Sequence, residues 1–149
     1  PIAANMASLY PNAFHHLVMA ASAIDPSIEK FWWFHKFIRH GPIKWMLPHF
    51  FKTTTDEKFS HVKELQLLLP KWNQVKIPVT VIQGGADKSV NPANLDFARE
   101  QLKNKQAEFI LIPEAGHLIR WQYPDLIKKI LLQTSTESRP MSTQTSGNR

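Results

Sequence analysis

Residues 78–87 read PVTVIQGGAD, and residues 107–117 read AEFILIPEAGH. The first stretch is rich in β-branched residues and stops at Gly84-Gly85, the pattern of a strand running into a turn. In the second, an apolar run from Ala107 to Ile112 ends at Pro113 and reads as another buried strand. Between them, Asn91-Pro92 starts a helix expected to reach about Lys103, with Leu95, Ala98 and Leu102 on its inner side. Strand, helix and strand in this order make a crossover between parallel neighbours.

Upstream, His16-Leu17-Val18-Met19-Ala20-Ala21 is a short apolar run and reads as a strand buried on both faces. Residues 1–10, PIAANMASLY, set Ile2, Met6 and Leu9 at helical spacing, with Ala3 and Ala7 alongside. Pro1 suits a first helical turn, and Pro11-Asn12 ends it. Asp25-Pro26 looks like an N-cap followed by proline at the first helical position. At about 100° per residue, Phe31, Trp33, Phe34, Phe37 and Ile38 fall on one side of the next helix. His35, Lys36, Arg39 and His40 fall on the other, and Trp32 lies with them. Gly41-Pro42 breaks this helix, and a second aromatic stretch follows over residues 43–51. Thr54 and Glu57 fit a capping box, after which Phe59, Val62, Leu65 and Leu69 keep helical spacing up to Pro70. A last helix opens at Pro124, with Tyr123, Ile127, Ile130 and Leu131 on one face.

The fold class is therefore α/β, a parallel sheet with crossover helices and a helical insertion. Residues 1–24 and 71–133 are expected to form a partial core, and residues 25–70 the insertion. Residues 134–149, nearly devoid of apolar side chains, are expected to be a disordered tail.

The 149 residues suffice for one small domain. With 43% hydrophobic and 20% charged residues, wholesale disorder, collagen and coiled coil are excluded. The absence of cysteine excludes disulfides, thiolate metal sites and a cysteine nucleophile. His35, His40, His49 and His61 share no ligand-like spacing, so no metal is expected, and no cofactor either. No apolar run reaches the roughly 18 residues of a spanning helix. The net charge of +6 permits an acidic partner and is also an ordinary solubility device. The sequence opens at Pro1 inside a helical pattern, which reads as a fragment. Localisation stays open, with the cytoplasm as default.

Active groups in open α/β sheets gather just past the carboxyl ends of the strands. Asp87 follows the strand at 78–84, and His117 follows the strand at 107–112. Adjacent parallel strands lie about 4.8 Å apart, so their loops can touch. A carboxylate on one imidazole nitrogen fixes the tautomer and leaves the other nitrogen as a general base. Gly116 is expected to supply the tight turn that brings the ring over the sheet edge. Taken alone, Asp87 also reads as a loop carboxylate closing an Asx-turn, and His117 as a buried, satisfied histidine. Asp25 is a further candidate acid but reads more cheaply as an N-cap. Asp96 and Asp125 read as surface charges, His15 and His16 as solvent-facing, and Ser22 as a loop residue.

Gly-x-x-Asp-x-x-Val after a Pro-Val-x-x-Ile strand, then Pro-x-Ala-Gly-His after the next strand, resembles the C-terminal half of an α/β-hydrolase-fold enzyme of the serine hydrolase type. The resemblance covers about residues 1–133. It implies that Asp87 is the triad acid, that His117 is the triad base, and that the three strands are the last of the family's mostly parallel sheet. It also implies a lid over residues 25–70 and a small ester or similar substrate. The family's nucleophile lies on a G-x-S-x-G elbow. No such motif occurs here, so the resemblance places the serine and the oxyanion donors upstream, in a missing N-terminal half. Epoxide hydrolases and haloalkane dehalogenases, with an aspartate nucleophile, stay open as relatives. For the aromatic, basic segment the readings are lid packing, a membrane-surface helix and single-stranded nucleic acid binding. Its aromatics mostly oppose its basic residues, which favours packing and argues against nucleic acid. The rival to an enzyme is a non-catalytic, basic amphipathic fragment acting at membranes.

Overall fold

The computed structural model describes residues 1–29, 49–103 and 105–137. In chain order its elements are α1 (Ile2–Leu9), β1 (Leu17–Ala20), α2 (His49–Leu68), β2 (Val79–Gly84), α3 (Asn94–Gln101), β3 (Ala107–Ile112), α4 (Ile119–Gln122) and α5 (Pro124–Glu137). The three strands form one parallel sheet in the order β1-β2-β3, with Leu17 opposite Val79 and Val79 opposite Ala107.

Strand periodicity explains the layering. Leu17 and Met19 of β1, Val79 and Val81 of β2, and Ala107 and Phe109 of β3 point to one face. There they meet Ala4 and Ala7 of α1, Leu68, Trp72, Val75, and Leu95, Ala98 and Leu102 of the α3 region. Val18, Ile82, Ile110 and Ile112 point to the other face and meet Ala115, Ile119 and Ile130. Helices thus cover both faces of the sheet, as parallel pairing requires. Each large apolar side chain buried in this way contributes about 1.5–3 kcal/mol.

Several expectations change. The α1 helix turns its small residues inward; Ile2, Met6 and Leu9 are 76%, 44% and 52% exposed. Small side chains let this helix approach closely, and Lys71 Nζ donates to Asn5 Oδ1 at 2.8 Å across the contact. Ala20 of β1 is exposed, and in β3 Glu108 and Leu111 are exposed, so neither outer strand is covered throughout. The Thr54 capping box is overridden, because α2 already begins at His49. Its last turns belong to the core, since Leu65 and Leu68 are buried. Pro70 ends α2 as expected, by opening a 3-10 segment, Leu69–Gln74. His16 is not solvent-facing, for its Nε2 lies 2.9 Å from Thr80 Oγ1. On α5, Leu126 packs inward in place of the exposed Leu131. That helix runs to Glu137, past the expected start of the tail. Its terminal hydroxyls bond back to the preceding turn, Ser135 to Leu131 O at 2.6 Å and Thr136 to Leu132 O at 2.9 Å. The phasing of residues 30–40, the Gly41-Pro42 break, most of the second aromatic stretch and residues 138–149 lie outside the described residues. Among the described residues, no helix is long and apolar enough to cross a membrane.

Candidate active site

The ends of β2 and β3 stand side by side, Gly84 opposite Ile112. The loops that follow are bonded to each other. Gly85 N–H donates to Ile112 O at 2.9 Å, and Ala86 N–H to Ala115 O at 3.0 Å. Glycine at 84 and 85 permits this approach. A Cβ on Gly84 would collide with the Ala115 carbonyl oxygen, and one on Gly85 would lie 2.7 Å from Pro113 O. Gly116 is not the tight position. The nearest atoms to a Cβ there are those of the Gln122 amide group at 3.8 Å, and among the described residues no glycine has a left-handed φ. Gly116 N–H instead donates to Gln122 Oε1 at 3.0 Å, which anchors the loop ahead of His117.

This scaffold joins Asp87 and His117, with Nδ1 of the ring 3.0 Å from Oδ2 of the carboxylate. The other oxygen, Oδ1, accepts from Ser89 N–H at 2.8 Å and Val90 N–H at 2.9 Å. Gln83 Nε2 adds a longer contact to Oδ2 at 3.4 Å. The Asx-turn and the histidine pairing of Asp87 therefore coexist, one on each oxygen. Burial of the carboxylate works to raise its pKa, but hydrogen bonds from Val90, His117 and Ser89 outweigh it and hold the group below its ordinary value. The Asp87 side chain is fully shielded, whereas that of His117 is 42% exposed. Nδ1 is taken and Nε2 has no partner among the described residues. The exposed nitrogen is thus free to accept a proton.

Beside the ring lies a cleft of about 290 Å³, walled by Ala20 and Ala21 at the end of β1 and by Leu118, Arg120 and Trp121. Ala21 holds a left-handed φ of 48°, a strained position for a residue with a Cβ. A second cleft, of about 280 Å³, lies along β1 and joins Pro1, Ala20, Ser22 and Trp72. Trp72 Nε1 is buried with no hydrogen-bond partner among the described residues. Among the described residues, Ser22 makes only a long contact, 3.5 Å to Ala20 O.

Asp25 serves its own turn, accepting from Ser27 N–H at 2.8 Å and Ser27 Oγ–H at 2.6 Å. Asp96 pairs with Arg99 on the surface. Sequence reading missed Asn94. This buried side chain accepts from the N–H groups of Ile24 and Asp25 at 2.7 and 2.8 Å and donates to Asn91 O at 2.9 Å. It ties the exit of β1 to the segment after the acid loop. A polar residue in a first helical turn is ordinary, so its sequence carries no signal of that role. Among the described residues, no group of three histidine or carboxylate side chains stands together as a metal site.

No family model and no curated protein sequence matches this chain. Solved structures do. An α/β hydrolase enzyme from a Medee basin deep-sea metagenome library superposes with a TM-score of 0.60 at 17% identity, over 95% of this chain and 63% of its own. A peroxisomal α/β-hydrolase of Saccharomyces cerevisiae gives 0.58 at 15%, over 99% and 53%. The enol-lactonase of Burkholderia xenovorans gives 0.53 at 15%, over 90% and 61%. The chain therefore carries the α/β-hydrolase fold, and it spans between half and two thirds of these proteins' length.

Proposed function

We propose that this chain is the C-terminal part of a serine hydrolase of the α/β-hydrolase fold, acting on a small ester or similar carbonyl substrate. The observation that carries this reading is the 3.0 Å contact between His117 Nδ1 and Asp87 Oδ2 at the ends of adjacent parallel strands. In this reading, His117 Nε2 takes the proton of an attacking hydroxyl and returns it to the leaving group. Asp87 stays ionised, fixes the tautomer and stabilises the imidazolium that forms between those two steps. Its lowered proton affinity suits a group that orients the base without taking the proton.

The nucleophile belongs to the segment ahead of Pro1. Pro1 shares a cleft with Ala20 and Ser22, and Ala20 and Ala21 wall the cleft beside His117. A residue or two upstream of α1 would thus come close to the end of β1 beside the His117 cleft. The same missing half would pair with the outer edge of β1, unpaired among the described residues. An aspartate in place of the serine would make the protein a relative of epoxide hydrolases or haloalkane dehalogenases instead. The segment within residues 25–70 serves in this reading as the lid. Its entry is tied down by Asn94, and Ile28 and Glu29 line a cleft shared with Asp87 and Ser89.

The test is hydrolysis of nitrophenyl esters by the chain extended upstream through a strand and elbow. His117→Ala and Asp87→Asn should each lower kcat by about 10⁴-fold or more. Full activity in both variants refutes the assignment.

A further inference from the structure

Arg120 stands three residues after His117 in the wall of the cleft beside it. Its guanidinium carbon lies 3.6 Å from the ring centroid of Trp121. Stacking of this kind holds the planar group by one face and leaves its N–H edge free. No carboxylate pairs with Arg120 among the described residues, although Arg99 and Lys103 each have one. Besides Arg120 and the His117 ring, the wall is formed by Ala20, Ala21, Leu118, Ile119 and the Trp121 ring. Leu118 and Trp121 are 54% and 61% exposed, so their apolar surface is accessible beside the cation. A cleft with several apolar side chains, an imidazole at its edge and one permanently charged group suits a ligand with an apolar body and one charge of opposite sign.

We infer that the cleft between the end of β1 and Arg120-Trp121 binds a carboxylate carried by the substrate, so that the preferred substrates are carbonyl compounds bearing a second, ionised carboxyl group. This inference rests on the reading of His117 as the catalytic base. The guanidinium fork matches a carboxylate in plane and in charge, whereas a neutral amide or ester satisfies it poorly. The net charge of +6 would draw such anions towards the molecule.

The test uses the 149-residue chain and two probes of one shape, benzoate and benzamide, followed by the indole N–H resonance of Trp121. Benzoate should bind saturably, and benzamide about tenfold more weakly. Arg120→Gln should abolish the difference, and Arg120→Lys should keep part of it. Since residue 120 is exposed, neither change threatens the core. Equal binding of the two probes, no saturable shift with benzoate, or a preference that survives Arg120→Gln overturns the inference. The acid–base reading is scored separately on the same samples, from the downfield Nδ1 proton of His117 and its loss in Asp87→Asn. Absence of that proton with an intact Arg120-dependent preference defeats the catalytic reading and leaves the carboxylate site standing.

Discussion

Nδ1 of His117 lies 3.0 Å from Oδ2 of Asp87, the carboxylate oxygen that the acid loop's own amides leave unused. One oxygen builds the loop and the other orients the ring. The carboxylate is therefore fixed before any substrate arrives, which is what an orienting acid needs.

The neutral imidazole should carry its proton on Nδ1. Nitrogen-15 shifts of the neutral His117 ring should report that tautomer. Asp87→Asn should shift the population towards the Nε2–H form. An unchanged tautomer in the variant would mean that the pairing does not govern the ring.

Asp87 should also leave a mark on acid stability. Its folded-state pKa lies below the ordinary 3.8, so its ionised form stabilises the fold at neutral pH. That contribution is lost as pH falls through the lower folded-state value, in a decline starting below about pH 5. Denaturant melts from pH 7 to 2 should show this limb in the wild type and a weaker one in Asp87→Asn. Asp87→Ala, which strands the N–H groups of Ser89 and Val90, should cost about 1–3 kcal/mol at pH 7.

The two loops should tolerate alanine unequally. Gly84→Ala drives a methyl group into the Ala115 carbonyl and should cost about 1–3 kcal/mol while loosening the His117 contact. Gly116→Ala meets nothing closer than 3.8 Å and should stay within about 0.5 kcal/mol of wild type. Equal costs at the two positions would contradict the packing described.

At the end of β1, Ala21→Gly relieves the Cβ strain at φ 48° but removes a buried methyl group and loosens the unfolded chain, so its stability should stay within about 1 kcal/mol of wild type, a smaller loss than an alanine-to-glycine change plus a buried methyl would otherwise cost. Thermal melts of the variant beside wild type check this, and a loss well above about 1 kcal/mol would mean that Ala21 is not strained.

The sheet and the acid–histidine pair were legible because they depend on local patterns. β-Branched runs, a glycine pair and two chemically distinctive residues all sit at strand ends. For α1, helical spacing identifies a stripe but not its partner, and Ala4 and Ala7 take the inner position by being small. Thr54 has the residue pattern of a cap but lies inside α2, which starts about one and a half turns earlier, at His49. Gly116 drew attention by adjacency to His117, whereas the steric demand falls on Gly84, across a β2–β3 approach that no sequence window contains. The staple at Asn94 joins positions 70 residues apart and was invisible for the same reason.

If Asp87 and His117 serve a nucleophile outside these 149 residues, the purified chain should turn over a short-chain nitrophenyl ester no faster than free imidazole does, and His117→Ala should leave that rate unchanged. Hydrolysis well above background that disappears in His117→Ala would instead place the nucleophile within the chain.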